Sequence, residues 1–224
     1  MNRYMITHSL LSSWLYTMRD NPYETADSTD DPMADFLRTL RREPTPTTEA
    51  MQKGIDFENL ITAILTKQPV AVSHDYDYRT KQTVENTVPV AEHKWYPAAV
   101  KTLQYVDGAL LQIPVSKTVE IEGMSILFYG RLDALVAGRI YDIKFSGSYD
   151  RGKYYESTQH PMYLELVPEA DSFVYVVSNG TEVWTEEYRR DEVMYQITDT
   201  AADFIRWIGS MGYMDLFKER WLAK

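Results

Sequence analysis

Residues 128 to 147, "FYGRLDALVAGRIYDIKFSG", constrain the fold more than any other stretch of this chain. Apolar, β-prone residues flank a Gly-containing turn, which predicts two antiparallel strands. Yet the stretch carries Asp133, Asp142 and Lys144 where a plain core hairpin would place Val, Ile or Thr. Asp142 and Lys144 are two apart, so their side chains leave the same face of a strand. The turn decides where Asp133 falls. If Ala137 and Gly138 form it, Val136 faces Arg139 and Asp133 lies opposite Asp142. If Gly138 and Arg139 form it, as suits a type II′ turn, Asp133 faces Lys144 and lies diagonal to Asp142. Both registers put all three groups on one face, whereas a plain three-residue loop sends Asp133 to the other side.

Directly opposed residues in a hairpin have Cβ atoms roughly 4.5–5.5 Å apart, and like charges there are destabilising. Two carboxylates at that separation need a cation, a shared proton or solvent. Lys144 supplies some charge, but a hard divalent ion with oxygen ligands is the more complete answer. Mg²⁺ in particular is held by one or two carboxylates, with water and substrate phosphate completing its shell. The competing reading is a solvated face on an edge hairpin, where exposed Asp and Lys are common.

Composition removes several chemistries. The chain has no cysteine, which excludes disulfides, thiolate-bound zinc, an iron–sulfur cluster and a cysteine nucleophile. No apolar run approaches the roughly 20 residues that span a bilayer, so no membrane association is expected. The opening "MNRYMITHSLLSSWLY" is broken by polar residues and lacks a small-residue cleavage site, which predicts a cytoplasmic protein. The net charge of −10 repels nucleic acid at long range, so any phosphate affinity must come from local basic patches or bound cations. Clustered carboxylates that hold a divalent ion would push the charge in the same direction.

The 224 residues predict one domain. A helical part covers about 1–66, a core about 70–190, and a second helical part about 191–224. Ile6, Leu10, Leu11, Trp14, Leu15 and Met18 follow a 3.6-residue period over residues 5–19. "NPYE" stops that helix and a polar loop occupies 25–32. "MADFLRTLRRE" predicts a short helix ending near Arg38, Arg41 and Arg42. Thr48 starts another through "EAMQKGIDFENLITAILTK", with Ile55, Leu60, Ile61 and Ile64 on one face and Glu58 projecting past a close backbone contact at Gly54. Strands are expected over 70–127, with a helix near 93–105. After the charged hairpin come a helix containing "YYESTQHPMYLELV", the strand "SFVYVVS", an "NG" turn and "TEVWTEEYRR". A C-terminal helix places Ile205, Ile208, Met211 and Phe217 as apolar contacts. The order strand, strand, helix, strand, strand predicts an α/β or α+β domain with a mixed central β-sheet flanked by helices.

Four segments in order, "GIDFENLI", "GRLDAL", "YDIKFSG" and "QHPMY", resemble the motif series of the PD-(D/E)XK nucleases, and the RecB-like group most closely, with phage exonucleases and CRISPR-adaptation nucleases as relatives. That family carries a Glu on an early helix, G-x-x-D on one strand, D/E-x-K on the next, and a Gln followed four residues later by a Tyr on the helix after. These fall on Glu58, Gly130 with Asp133, Asp142 with Lys144, and Gln159 with Tyr163. "THSLLSSWLYTMRDNPYE" is similar to the opening helix of RecB-like domains, so the resemblance spans about residues 6–185.

The resemblance implies a restriction-endonuclease-like core and metal-dependent phosphodiester hydrolysis. Asp133, Asp142 and the main-chain carbonyl of Ile143 would bind Mg²⁺ or Mn²⁺, with Glu58 completing the set. Lys144 would orient the attacking water and stabilise the transition state, and Gln159 and Tyr163 would hold the water, the lysine or a phosphate. Pro161 stands between those two and is able to start a new helical segment. Relatives with an upstream metal-binding histidine would place it at His74 or His93; His93, in "AEHKWY", is the better placed of the two, against the simpler reading of a surface or locally bonded imidazole.

Arg151 and Lys153, just after the lysine motif, are candidate substrate contacts, as are Arg38, Arg41 and Arg42, although a solvated helix end explains the latter three equally well. Tyr154, Tyr155 and Tyr163 suit packing better than base stacking, and Trp207 and Trp221 suit a core or an interface. The expected function is a Mg/Mn-dependent deoxyribonuclease, an exonuclease of recombination or repair from a bacterial or phage-infected cell. Its partners would be DNA and a second copy or a recombination protein. The alternative is a non-catalytic descendant of the fold that binds protein or nucleic acid.

Overall fold

The structure is a computed structural model that describes residues 2–19, 31–77 and 82–223. The chain opens on a strand, β1 (Arg3–Ile6), ahead of helix α1 (His8–Tyr16). Thr7 sits between them in extended conformation, and its hydroxyl accepts the Leu10 N–H, capping the helix. Helix α2 (Pro32–Leu40) starts with Asp31 accepting from Ala34 N and Pro at its first position. Helix α3 (Glu49–Thr66) starts where Thr48 predicts, with that hydroxyl accepting the Met51 N–H at 3.2 Å. A separate hairpin, β2 (Val70–Asp77) with β3 (Gln82–Val88), precedes α4 (Tyr96–Leu103). The expected stop at "NPYE" and residues 25–30 of the expected loop lie outside the described residues.

Next come β4 (Leu110–Ile121), β5 (Met124–Val136), β6 (Arg139–Phe145), α5 (Gln159–Leu166), β7 (Ser172–Ser178), β8 (Val183–Arg189), α6 (Ile197–Ser210) and α7 (Met214–Arg220). The main sheet has six strands in the order β1-β5-β6-β7-β8, with β4 also paired to β5. β1 runs parallel to β5 and β6 parallel to β7, while the other pairs are antiparallel. The fold is therefore mixed α/β, with a mixed sheet flanked by helices. No helix among the described residues is long and apolar enough to cross a membrane.

Every residue of β7, "SFVYVVS", is buried, because both faces of that strand are covered. Phe173, Tyr175 and Val177 face a core with Leu10, Phe36, Met162 and Phe204 of the α1, α2, α5 and α6 side. Val174 and Val176 face a second core with Phe57, Leu60, Ala98 and Ala99 of α3 and α4. Residues 3–5 and 221–223 meet at the sheet edge. Tyr4 bridges Leu222, Met5 N–H donates to Trp221 O at 2.7 Å, and Ala223 N–H donates to Arg3 O at 2.8 Å.

Several expectations need correction. β1 replaces the start of a predicted helix, since residues 3–6 find a partner in β5. Ile55 is 44% exposed; it lies about 200° around α3 from Phe57, and the buried stripe is Phe57, Leu60, Ile61 and Ala63. Gly54 faces open space, so no close contact explains it. α5 begins only at Gln159, with Tyr154 and Tyr155 in a turn before it. Met211 is 47% exposed, because α6 ends at Ser210. The "NG" hairpin forms, but Ser178 pairs with Val183, giving a four-residue connection in which Asn179 Oδ1 accepts from Thr181 and Glu182. Gly180 is required there, at φ 90°, with the Trp95 indole where a side chain would start.

Candidate functional site

The charged hairpin adopts the first of the two registers. Ala137 (φ 50°) and Gly138 (φ 75°) form the turn, with Val136 opposite Arg139 and Ala134 opposite Tyr141. Positive φ at both positions is the type I′ geometry that matches strand twist. Pairing stops at Ala134, although β5 and β6 both continue. Asp133 sits at this parting, and its Oδ2 accepts the Ile143 N–H at 2.9 Å in place of a ladder bond. Its Oδ1 accepts only a longer bond, 3.3 Å, from the Gln112 amide.

Asp142 is 5% exposed. Gln159 Nε2 donates to its Oδ1 at 2.5 Å, and Lys144 Nζ lies 2.8 Å from its Oδ2. That second contact is an ion pair without hydrogen-bond alignment, since Oδ2 has no aligned partner among the described residues. Burial pushes the Asp142 carboxyl up to about 6; the Asp133 charge adds to the rise, while Lys144 and Gln159 oppose it.

Gln159 is the first residue of α5 and Pro161 the third, so the proline removes no helical hydrogen bond. Tyr163, one turn on, turns toward β5. Its hydroxyl donates to Arg131 O at 3.0 Å and accepts from Arg131 N at 3.3 Å. The ring occupies the space beside Gly130, where a Cβ would fall 2.0 Å from Cε1. Burial first raises the phenol to about 12. Gln159 thus reaches the Asp142 carboxylate, whereas Tyr163 braces the strand that carries Asp133.

Glu58 lines a cleft together with Asp133 and Ile143. Its carboxyl is raised by burial first and then by the Asp133 charge, with Lys144 opposing. Glu58, Asp133, Asp142 and Lys144 therefore share one electrostatic neighbourhood. Among the described residues, however, no group of three or more His, Cys, Asp or Glu side chains could hold a metal ion. The expected set of Asp133, Asp142, Ile143 and Glu58 is not assembled as a closed cage. What Asp133 and Asp142 offer is two carboxylates, one with a weakly engaged oxygen and one with a buried, unaligned oxygen. Donors of that kind suit a hard ion whose other positions go to water and phosphate.

Other candidates fall elsewhere. His93 Nδ1 accepts the Trp95 N–H at 3.2 Å and its ring packs on that indole. Its charged form is disfavoured by burial first and then by Lys94, with Asp56 opposing. The imidazole is thus locally bonded, with Lys94 and Asp56 as its charged neighbours. Lys153 Nζ clasps the loop after β6, donating to Ser146 Oγ at 2.6 Å and Ser148 O at 3.0 Å. Arg151 is exposed in a hollow beside Glu186, Glu187 and Glu192. Arg38 pairs with Asp35, Arg41 with Glu43, and Arg42 lies over the Trp221 ring. Tyr154 stacks on Tyr175 as packing, while Tyr155 stays exposed.

Two residues near the site escaped sequence reasoning. Buried Glu186 accepts from Tyr149 OH (2.7 Å), Gly152 N (3.1 Å), Tyr154 N (3.1 Å) and Tyr188 OH, fixing the segment that delivers Gln159 to Asp142. Its signal was present: Trp184, Glu186 and Tyr188 alternate on one face of a strand. His8 packs on Tyr163 at 5.6 Å between ring centroids. Burial, and then Lys144, lower it to about 4. Thr158 Oγ1 donates to His8 O at 2.8 Å and bonds Ser12 Oγ at 2.7 Å, fastening α1 to the start of α5. No local pattern could have revealed His8, because its place depends on β1 joining the sheet.

No protein-family model matches this chain, and no curated protein matches it. A solved structure described as "Crystal structure of SSO0001" is similar over 53% of this chain, at 17% identity and a TM-score of 0.38. The match spans 62% of that structure's length. A likeness at this level carries no argument about function.

Proposed function

We propose that this chain is a metal-dependent nuclease with a RecB-like PD-(D/E)XK core, hydrolysing DNA phosphodiester bonds and working from strand ends. The observation that carries the reading is the parting of β5 and β6, where Asp133 bonds Ile143 N–H and buried Asp142 meets Lys144 at 2.8 Å. A buried carboxylate with a raised pKa beside a second carboxylate and an ammonium is costly to maintain as scaffold alone.

Asp133 and Asp142 would hold Mg²⁺ or Mn²⁺ through oxygen, with Glu58 at the rim of the cleft. The ion, when bound, supplies a polarised phosphoryl oxygen and a water of lowered pKa. Gln159 fixes the Asp142 rotamer by holding Oδ1, which leaves Oδ2 toward Lys144. The Lys144 ammonium would stabilise negative charge developing on a phosphate held beside Asp142. Tyr163 keeps Arg131, and so Asp133, in register. Since the chain is acidic overall, approach of DNA depends on this local cation chemistry.

The test is cleavage of end-labelled linear and closed circular DNA by purified protein with Mg²⁺, Mn²⁺ or EDTA. Linear DNA is expected to be degraded with either metal and spared in EDTA, and circular DNA spared throughout. Asp142→Asn and Lys144→Ala are each expected to lower turnover by about a hundredfold or more with thermal unfolding preserved. Undiminished cleavage by both, and by Asp133→Ala, removes the assignment. The net charge of −10 favours one second reading, a non-catalytic binding module of the same fold. It predicts no specific Mn²⁺ binding on titration.

A further inference from the structure

The cleft containing Glu58 and Asp133 extends well beyond the carboxylates. It encloses about 310 Å³, at the lower end of the range for small-molecule sites. One wall is α3, through Ile61 and Leu65, and the other is β4 and the turn before it, through Val106 and Leu111. Asp133 and Ile143 join the two walls. Leu65 is 47% and Leu111 43% exposed, so large apolar side chains rim an opening where water would favour polar ones. At the end nearest the strand parting, Glu58 and Asp133 bring carboxylates to the cleft. Asn59 and Gln112 bring carboxamides, each able to donate and accept, and Thr62 brings a hydroxyl.

Gln112 adds an independent observation. Its φ is 53°, a left-handed conformation inside a strand for a residue with a side chain, and such strain gathers at ligand sites. The conformation is held in place, since Arg131 Nε donates to Gln112 O at 3.3 Å. Its result is a Gln112 amide at the cleft wall, leaning on Asp133. Apolar walls with a few hydrogen-bonding groups on their edge match a heterocyclic base, which is read by stacking on apolar side chains and by bonds to its edge.

From this geometry we infer that the cleft is a base subsite, receiving the unstacked heterocycle of the nucleotide whose phosphate lies at Asp133 and Asp142. The inference rests on the nuclease reading for the placement of that phosphate. It also accounts for how a chain with a net charge of −10 gains hold of nucleic acid, because base burial adds affinity that phosphate attraction cannot.

The test compares deoxythymidine and deoxyadenosine 5′-monophosphates with the baseless probe 2-deoxyribose 5-phosphate, titrated calorimetrically in Mn²⁺. Leu65→Trp and Leu111→Trp fill the cleft from opposite walls, and both positions are exposed enough to leave the cores intact. For the unsubstituted protein, at least one nucleotide is expected to bind about tenfold or more tightly than the baseless probe. In either variant that preference is expected to vanish, with Mn²⁺ binding unchanged. Equal affinity for nucleotides and the baseless probe overturns the inference, as does a preference that survives both substitutions. Dimerisation in sedimentation that either tryptophan abolishes, without nucleotide preference, assigns the cleft to self-association and overturns it too. Cleavage of DNA without base preference removes the subsite alone. Base preference without any cleavage removes the nuclease reading and leaves the subsite as a nucleotide site.

Discussion

Gly130 owes its place to Tyr163 rather than to backbone freedom. Its Cβ would fall 2.0 Å from the Tyr163 ring, so Gly130→Ala is expected to destabilise by about 1–3 kcal/mol in urea titrations. In a Tyr163→Ala background most of that cost should disappear, since the two positions share one space. Ala137 makes the opposite point. It stands at φ 50° in the turn that sets the Asp133 register, and Ala137→Gly is expected to raise the urea midpoint by the equivalent of up to about 1 kcal/mol. At this scale much was legible beforehand. The two-residue period and the short turn place Asp133, Asp142 and Lys144 together without any tertiary knowledge. The sequence could not choose between the two turns, because Gly138 suits both, and only the strain accepted at Ala137 decides.

At the scale of elements, the segment between β6 and α5 hangs on one carboxylate. Glu186→Ala leaves two phenols and two backbone N–H groups without their acceptor. It should raise hydrogen exchange over residues 149–154 by an order of magnitude or more while the β7 amides stay protected. α5 carries a pH dependence of its own. His160 is fully buried and stacked on Tyr188 at 4.2 Å, and its Nε2 has no hydrogen-bond partner among the described residues. Burial lowers it from 6.5 to about 4, with Glu186 opposing. The folded state therefore prefers the neutral ring. Its contribution is complete above pH 6.5, declines as the pH falls toward about 4, and changes no further below that. Urea midpoints measured from pH 7 to 4 should fall less steeply for His160→Gln than for the unsubstituted protein. Helix starts at Thr48 and strand β7 were legible because caps and apolar runs are local signals. β1 was not, since four residues become a strand only when β5 offers them a partner.

On the scale of the whole molecule, the sheet separates two cores that must form together. Phe57 lies in one and Phe204 in the other, both fully buried. Phe57→Ala and Phe204→Ala should each lower stability by about 3–5 kcal/mol and still unfold in one transition seen alike by circular dichroism and tryptophan fluorescence. Two probes with separate midpoints would mean that the faces fold independently. The fold class was readable from the order of elements, whereas strand order was not, because β1 beside β5 and β6 beside β7 are pairings across long sequence separations. The seam between β1 and residues 221–223 has a colloidal consequence. Residues 221–223 occupy hydrogen-bonding positions along β1 that would otherwise face outward. A chain lacking Leu222 to Lys224 would keep Trp221 in its core but present open strand edge to its neighbours. Light scattering at raised concentration should then grow with time in the shortened protein and stay flat in the unshortened one.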